Sequence, residues 1–240
     1  MNTEYVLHYA PDNASLIIRL TLEQMNEPYT CVLVDRSKAA QRGPDYLALN
    51  PAGRIPTLET QDGPISETAA ILLWLTDRHR VLAPQPGTPD RAAFLNWLLF
   101  VANTLHPDVI QLFYSHRYGN AAAQDSIQVA TRKRISRHLA VLEGVAAAKP
   151  NWLGAVKPNA NPTVQPSVLD FYLSAILRWL ALYPVEGPRW FALSDYPQLQ
   201  AMTQGIDTLP STQAAIVAEG LGETPFSNPS YPNPPEGSAI

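Results

Sequence analysis

The chain is poor in cysteine, with one residue, Cys31, in 240. No intrachain disulfide can form and no cysteine cluster can hold zinc, which excludes a disulfide-stapled fold and a zinc module. A single unpaired thiol fits a reducing compartment. Charge is also scarce, at 16% of residues, and slightly acidic in balance, with 17 Lys+Arg against 21 Asp+Glu. Phosphate neutralisation or polybasic membrane attachment would need an excess of cations, so no nucleic-acid and no membrane partner is expected. Long apolar runs are missing too. Ala69–Leu75 falls far short of the roughly 18 residues of a spanning helix. The opening MNTEYVLHYA has neither a basic start nor an apolar stretch of signal-peptide length. A cytoplasmic protein without a metal is expected.

What the chain has is a 46% apolar fraction, enough for a sizeable core, and 23 prolines. The prolines gather at Pro84–Pro89, Pro158–Pro166 and Pro225–Pro235, which read as connectors or a tail. Before the first group, strand and helix patterns mix. Tyr5–Tyr9 and Tyr29–Val34 are dense in β-formers, and Cys31 within the second reads as a buried, inert core residue. Ser15–Met25 carries a helical stripe of Leu16, Ile17, Leu20 and Met25. Thr57–Glu59 and Pro64–Ser66 flank the turn Gln61-Asp62-Gly63, and Thr68–Arg80 is a second helix. From Asp90 the pattern is helical. Arg91–Phe113 has an almost unbroken i, i+3, i+4 apolar series, with further helices near 126–147 and around Leu169–Leu180. The spacing divides the chain into 1–83, 90–223 and a proline-rich tail, 224–240, irregular or draped over the surface.

Four local signals fall in order along this plan. Ala10-Pro11-Asp12-Asn13-Ala14-Ser15 joins strand to helix, and its small polar residues either cap the helix or face a ligand at its N-terminus. In Asn50–Leu58 (NPAGRIPTL) a proline precedes a short strand. A cis Ile55–Pro56 bond there would free the Ile55 backbone to pair with an extended peptide; a plain trans edge proline is the alternative. Ser66-Glu67-Thr68-Ala69-Ala70-Ile71 opens a helix. It is either a cap or a site where N–H groups and a hydroxyl meet a carboxylate while Glu67 meets an ammonium. Ser167-Val168-Leu169-Asp170 is a capping box and reads as structural.

Together, these segments resemble the cytosolic glutathione transferases over roughly Tyr5 to Leu209. Asn50–Leu58 is similar to that family's Asn-Pro-x-Gly-x-Val-Pro-x-Leu segment, and Glu67–Ile71 to its Glu-Ser-x-Ala-Ile segment with Thr68 in place of Ser. Ala10–Leu16 is most similar to the opening of the bacterial beta class, except that Ala14 stands where that class has cysteine. The resemblance implies a thioredoxin-like α/β N-terminal domain, an all-helical C-terminal domain and a homodimer. It implies glutathione as co-substrate, with Ile55 and Pro56 presenting backbone to its cysteinyl part. Glu67 and Thr68 would hold its γ-glutamyl end, and Arg54 would stand near its glycyl end. A hydrophobic electrophile would sit against Phe113, Tyr114 and Arg117.

Without a cysteine at position 14, thiol-transferase chemistry is disfavoured, and the thiolate needs another donor. Lowering a thiol pKa of roughly 8.5 by two units takes about 2.7 kcal/mol. A helix N-terminus supplies only about 0.3–1, up to ~2 kcal/mol, so a side-chain donor is required. Ser15 is the first candidate and Asn13 the second; the third is His106 in Leu105-His106-Pro107, which the resemblance matches to a histidine near the glutathione site of the beta class, a helix-end histidine with a structural hydrogen bond being the alternative. The implied activity is conjugation of glutathione thiolate to an electrophile, or reduction of an organic hydroperoxide. A glutathione-binding carrier with little catalysis, or a small-ligand site without glutathione, are the rival readings.

Overall fold

A computed structural model describes residues 5–156, 164–185 and 188–239, so most of the connector Pro158–Pro166 lies outside the described residues. The chain runs β1 (Tyr5–Tyr9), α1 (Ser15–Met25), β2 (Tyr29–Leu33), α2 (Pro44–Leu49), β3 (Thr57–Thr60), β4 (Gly63–Ser66) and α3 (Thr68–His79). Then come α4 (Arg91–Phe100), α5 (His106–Phe113), α6 (Gln124–Ala147), α7 (Val168–Leu182), α8 (Pro197–Asp207) and α9 (Pro210–Glu219). The four strands form one sheet in the order β2-β1-β3-β4. β1 and β2 are parallel with Leu7 opposite Cys31, while β1/β3 and β3/β4 are antiparallel, with Leu58 opposite both Leu7 and Ile65. This is the thioredoxin-like arrangement, followed by a predominantly helical remainder.

The order of strands corrects one expectation. β2 is an edge strand, and Cys31 on it is exposed rather than buried in the core. Its thiol is nonetheless pushed up by partial burial, an effect that the neighbouring Arg19 only partly offsets. Central β1 behaves as its composition predicts, with Tyr5, Leu7 and Tyr9 buried. Leu16, Ile17 and Leu20 of α1 and Ile71, Leu72 and Leu75 of α3 fill the same core. Each such side chain contributes about 1.5–3 kcal/mol on leaving water.

The series Arg91–Phe113 is continuous but not uniformly α-helical. Between α4 and α5, Val101–Leu105 widens into a π turn, and the His106 N–H reaches back to the Val101 carbonyl. Pro107 follows directly; it has no N–H to donate, and its ring crowds the turn before it. The wider turn accommodates this and sets the position of His106. At the centre of the helices lies α7, buried at every position but Ala181. The Ser167/Asp170 capping box is present at its start, as expected.

Among the described residues the tail has no helix or strand, but it is more than a surface drape. Phe226 is fully buried, and Asp207 accepts from the Phe226 and Ser227 N–H groups. Gly220, at φ 62°, sits so close to the returning chain that an added Cβ would lie 2.0 Å from the Asn233 carbonyl oxygen.

Candidate active site

Three chain segments meet at the carboxyl end of β1: the turn into α1, the loop from Asn50 to Pro56, and the start of α3. The Ile55–Pro56 bond is cis. The peptide before it is held from the outside, because the Arg54 carbonyl accepts from Tyr46 Oη at 2.6 Å and Asn50 Nδ2 at 2.7 Å. Ile55 is half-buried, and neither its N–H nor its carbonyl pairs with backbone among the described residues. An extended peptide can dock there with strand-like bonds. Arg54 itself is exposed.

Glu67, exposed at the head of α3, has φ 69°, a strained conformation for a residue with a side chain, and makes no side-chain cap. The first intrahelical bond runs from the Ile71 N–H to the Glu67 carbonyl. The N–H groups of Thr68, Ala69 and Ala70 are therefore open, and the helix end is a ready anion site. α7, by contrast, satisfies its own N-terminus with its capping box.

Ser15 requires a correction. It is fully buried, and its Oγ donates to the Ala10 carbonyl at 3.0 Å while accepting from the Ala10 N–H at 3.2 Å. A hydroxyl has one proton, and this one ties the end of β1 to the start of α1. Ser15 is thus a structural link, not a side-chain donor to a ligand. Its backbone N–H, however, has no partner among the described residues. Asn13 is half-buried; its Oδ1 accepts from the Ala14 N–H at 2.8 Å, and its Nδ2 has no partner among the described residues.

His106 comes into this cleft from α5. Its Nδ1 lies 2.8 Å from Tyr172 Oη, and its ring packs between Tyr172 and Trp179, each 5.6 Å away. Burial, and secondarily the positive charge of Arg54, pushes its pKa down to about 4. At neutral pH the ring is uncharged. Its Nε2 finds no partner among the described residues and is not sealed from solvent. Phe113, Tyr114 and Arg117 gather at the other end of α5. Arg117 lies over the Tyr114 ring at 4.0 Å, Phe113 packs 6.0 Å from Tyr183, and Arg36 bonds Tyr114 Oη at 3.0 Å. A cavity of about 400 Å³ lined by Gln24, Arg80, Leu82 and Gln165 sits at the opposite ends of α1 and α3, remote from all these groups.

Sequence reasoning missed the floor beneath the cleft. Asp12, at φ 50°, accepts from Arg178 Nε and Nη2, Trp179 Nε1 and Tyr183 Oη at 2.8–3.1 Å. Arg178 gives its remaining N–H groups to the carbonyls of Leu221, Pro225 and Ser230. All five guanidinium donors are thus used. Beside them the Asp12 N–H donates to Glu219, which also pairs with Arg19 at 2.7 Å. The tail is also tied to the ends of β1 and β2, since Tyr9 Oη donates to Glu236 and Arg36 donates to the Ala239 carbonyl.

Residues 14–78 match the family model described as glutathione S-transferase, N-terminal domain. The chain is 32% identical over 230 residues to glutathione S-transferase GST-4.5 of Xanthomonas campestris pv. campestris, covering 90% of this chain and 98% of that one. Among solved structures, a bacterial beta class glutathione S-transferase from Sphingomonas chungbukensis superposes with a TM-score of 0.70 at 29% identity, over 90% of this chain and 98% of that one. A sphingomonad glutathione S-transferase complexed with glutathione gives a TM-score of 0.71 at 29% identity, over 90% and 100%. Fold, extent of match and identity agree, and the chain belongs to the glutathione S-transferase family.

Proposed function

We propose that this protein is a glutathione transferase that ionises the glutathione thiol without a cysteine, tyrosine or serine side chain. The observation that carries the reading is the convergence of an unpaired Ile55 backbone, an uncapped α3 N-terminus and the open Nε2 of an uncharged His106. The cysteinyl part of glutathione pairs with Ile55 beside Pro56. The γ-glutamyl carboxylate takes the free N–H groups at Thr68, and Glu67 takes the ammonium. Arg54 lies at the glycyl end. The sulfur then meets three donors: His106 Nε2–H, Asn13 Nδ2–H and the Ser15 backbone N–H. Each hydrogen bond to a charged acceptor is worth about 1.5–3 kcal/mol, so two of them supply the ~2.7 kcal/mol that a two-unit shift requires.

The thiol proton passes to solvent. The thiolate attacks an electrophile held against Phe113, Tyr114 and Arg117; with an aryl halide the S–C bond forms and the halide departs with its electron pair, and with an enal the S–C bond forms as the C=C π pair shifts to an enolate that takes a proton from solvent. With an organic hydroperoxide, two glutathiones give up the electrons and leave as the disulfide, with alcohol and water as products. The same reading includes a thioredoxin-like domain at 1–83, a helical domain at 90–223, and a cytoplasmic homodimer. A glutathione titration beside turnover of aryl halides, enals and hydroperoxides tests it. Saturable binding with turnover of at least one class is expected. Binding with no turnover would replace the enzyme by a carrier.

A further inference from the structure

We propose that Tyr172 positions His106: its hydroxyl donates to His106 Nδ1 and so keeps the imidazole proton on Nε2, facing the glutathione sulfur. The inference rests on the reading of His106 as a thiolate donor. Tyr172 is buried on α7, with its ring perpendicular to that of His106. Seven residues on, Trp179 braces the other side of the imidazole and is anchored in turn to Asp12. The ring therefore has one hydrogen-bonded nitrogen and one open nitrogen.

A neutral imidazole has one proton, and the 2.8 Å bond to Tyr172 can run in either sense. If Nδ1–H donated to the phenol, Nε2 would be bare and would have to act as a base. A histidine whose pKa is pushed down to about 4 is a poor base toward a thiol near 8.5. If the phenol donates, Nε2–H faces the cleft, and a neutral ring stabilises the thiolate without gaining charge.

The surroundings of Tyr172 select the second sense. Its buried hydroxyl has no hydrogen-bond partner other than His106 Nδ1 among the described residues, so if Nδ1–H were the donor the phenol proton would be buried without an acceptor. The charged groups facing this chain are Arg54 beside His106 and Glu67 beside Tyr172; Asp12, reached through Trp179, is paired with Arg178. In the ionisation step the S–H bond breaks, its proton goes to solvent, and the sulfur keeps the electron pair and accepts the Nε2–H bond. His106 ends with the proton it began with.

Histidine-selective nitrogen NMR reads the tautomer directly, and a pH titration of thiolate ultraviolet absorbance reads the bound glutathione. In the wild type, His106 is expected as the Nε2–H tautomer. Tyr172→Phe should give a tautomer mixture and raise the thiol pKa by about one unit, with glutathione affinity within about twofold. Should Tyr172→Phe fail to fold, the wild-type tautomer alone decides, because only the Nε2–H form is compatible with a phenol that donates to Nδ1. An Nδ1–H tautomer in the wild type overturns the proposal. So does a thiol pKa that His106→Ala raises and Tyr172→Phe does not. If His106→Ala leaves that pKa unchanged, the assignment of His106 falls instead, and the tautomer measurement still decides whether Tyr172 orients the ring.

Discussion

Asp12 and Asn13 are neighbours at the end of β1, yet both Asp12 carboxylate oxygens are bonded, whereas the Asn13 amide nitrogen has no partner among the described residues. The contrast extends outward from each. Below Asp12 lies a closed network: Arg178 binds its carboxylate and the carbonyls of the returning chain, while Glu219 accepts from the Asp12 N–H and pairs with Arg19. Above Asn13 lies a cleft with an open Ser15 N–H, an open Ile55 backbone and an open α3 terminus. A buried charge with a missing partner is severely destabilising, so the floor must be complete before any ligand arrives. A ligand site keeps its donors free, and it can do so only because the floor holds the loop in place.

The largest effect should come from opening the floor. Arg178→Ala leaves the Asp12 carboxylate buried without its cation and the carbonyls of Leu221, Pro225 and Ser230 without this donor. It should lower stability by roughly 3–5 kcal/mol in urea denaturation. A loss below about 1 kcal/mol would mean that the tail and loop hold together without this residue, and the contrast drawn above would fail.

The next effect reads the two regions through pH. The folded-state pKa of His106, about 4, lies below its ordinary 6.5, so the unfolded chain takes up the proton first and this group lowers stability as pH falls from 6.5 to 4. Asp170 works the other way. Burial raises its pKa from 3.8 to about 6, the folded chain takes up the proton first, and stability rises as pH falls through that window. The two oppose each other in the parent protein. His106→Gln removes the first alone, so between pH 6.5 and 4 the variant should gain stability on the parent by up to one proton's worth of linkage. Parallel stability curves would mean that His106 titrates as a free histidine.

The fold was legible where periodicity and punctuation agree. Asp12-Asn13 and Asn26-Glu27-Pro28 bracket a stripe of apolar residues, and α1 is found at Ser15–Met25 as its pattern implies. The order of the four strands was not legible in the same way, and Cys31 is exposed because β2 lies at the edge. α2 has only six residues, too few for a period to emerge. Within the site, Glu67, Thr68, Ile55 and His106 stand in marked segments, but Tyr172 and Trp179 do not. α7 is buried almost all round, so nothing in its spacing separates a residue facing the cleft from one facing the core. Ser15 stood out as a donor and Asp12 did not, and only their partners, the Ala10 peptide and the distant Arg178, reveal their roles.

Within the cleft, the end far from sulfur should govern affinity. Glu67→Ala removes a carboxylate that is exposed in the free protein, so stability should change little. The Michaelis constant for glutathione should rise about tenfold, with saturated turnover within about twofold. A fall in saturated turnover with the Michaelis constant unchanged would move Glu67 from ligand binding to chemistry.

The smallest effect should come from Asn13, and it separates a donor from a cap. Asn13 uses its Oδ1 on the Ala14 N–H, so Asn13→Ala removes this local contact and the proposed thiolate donor together. Asn13→Asp separates them, because the carboxylate still accepts from Ala14 but cannot donate to sulfur. If Nδ2 donates, both variants should raise the bound thiol pKa. Alanine should raise it by about half a unit, less than His106→Ala because backbone N–H and water can take over part of the bond. Aspartate should raise it further, since it adds a like charge beside the thiolate. If Asn13 is only a cap, aspartate should keep the parent's thermal stability, alanine should lose up to about 1 kcal/mol, and alanine should leave the thiol pKa where it was.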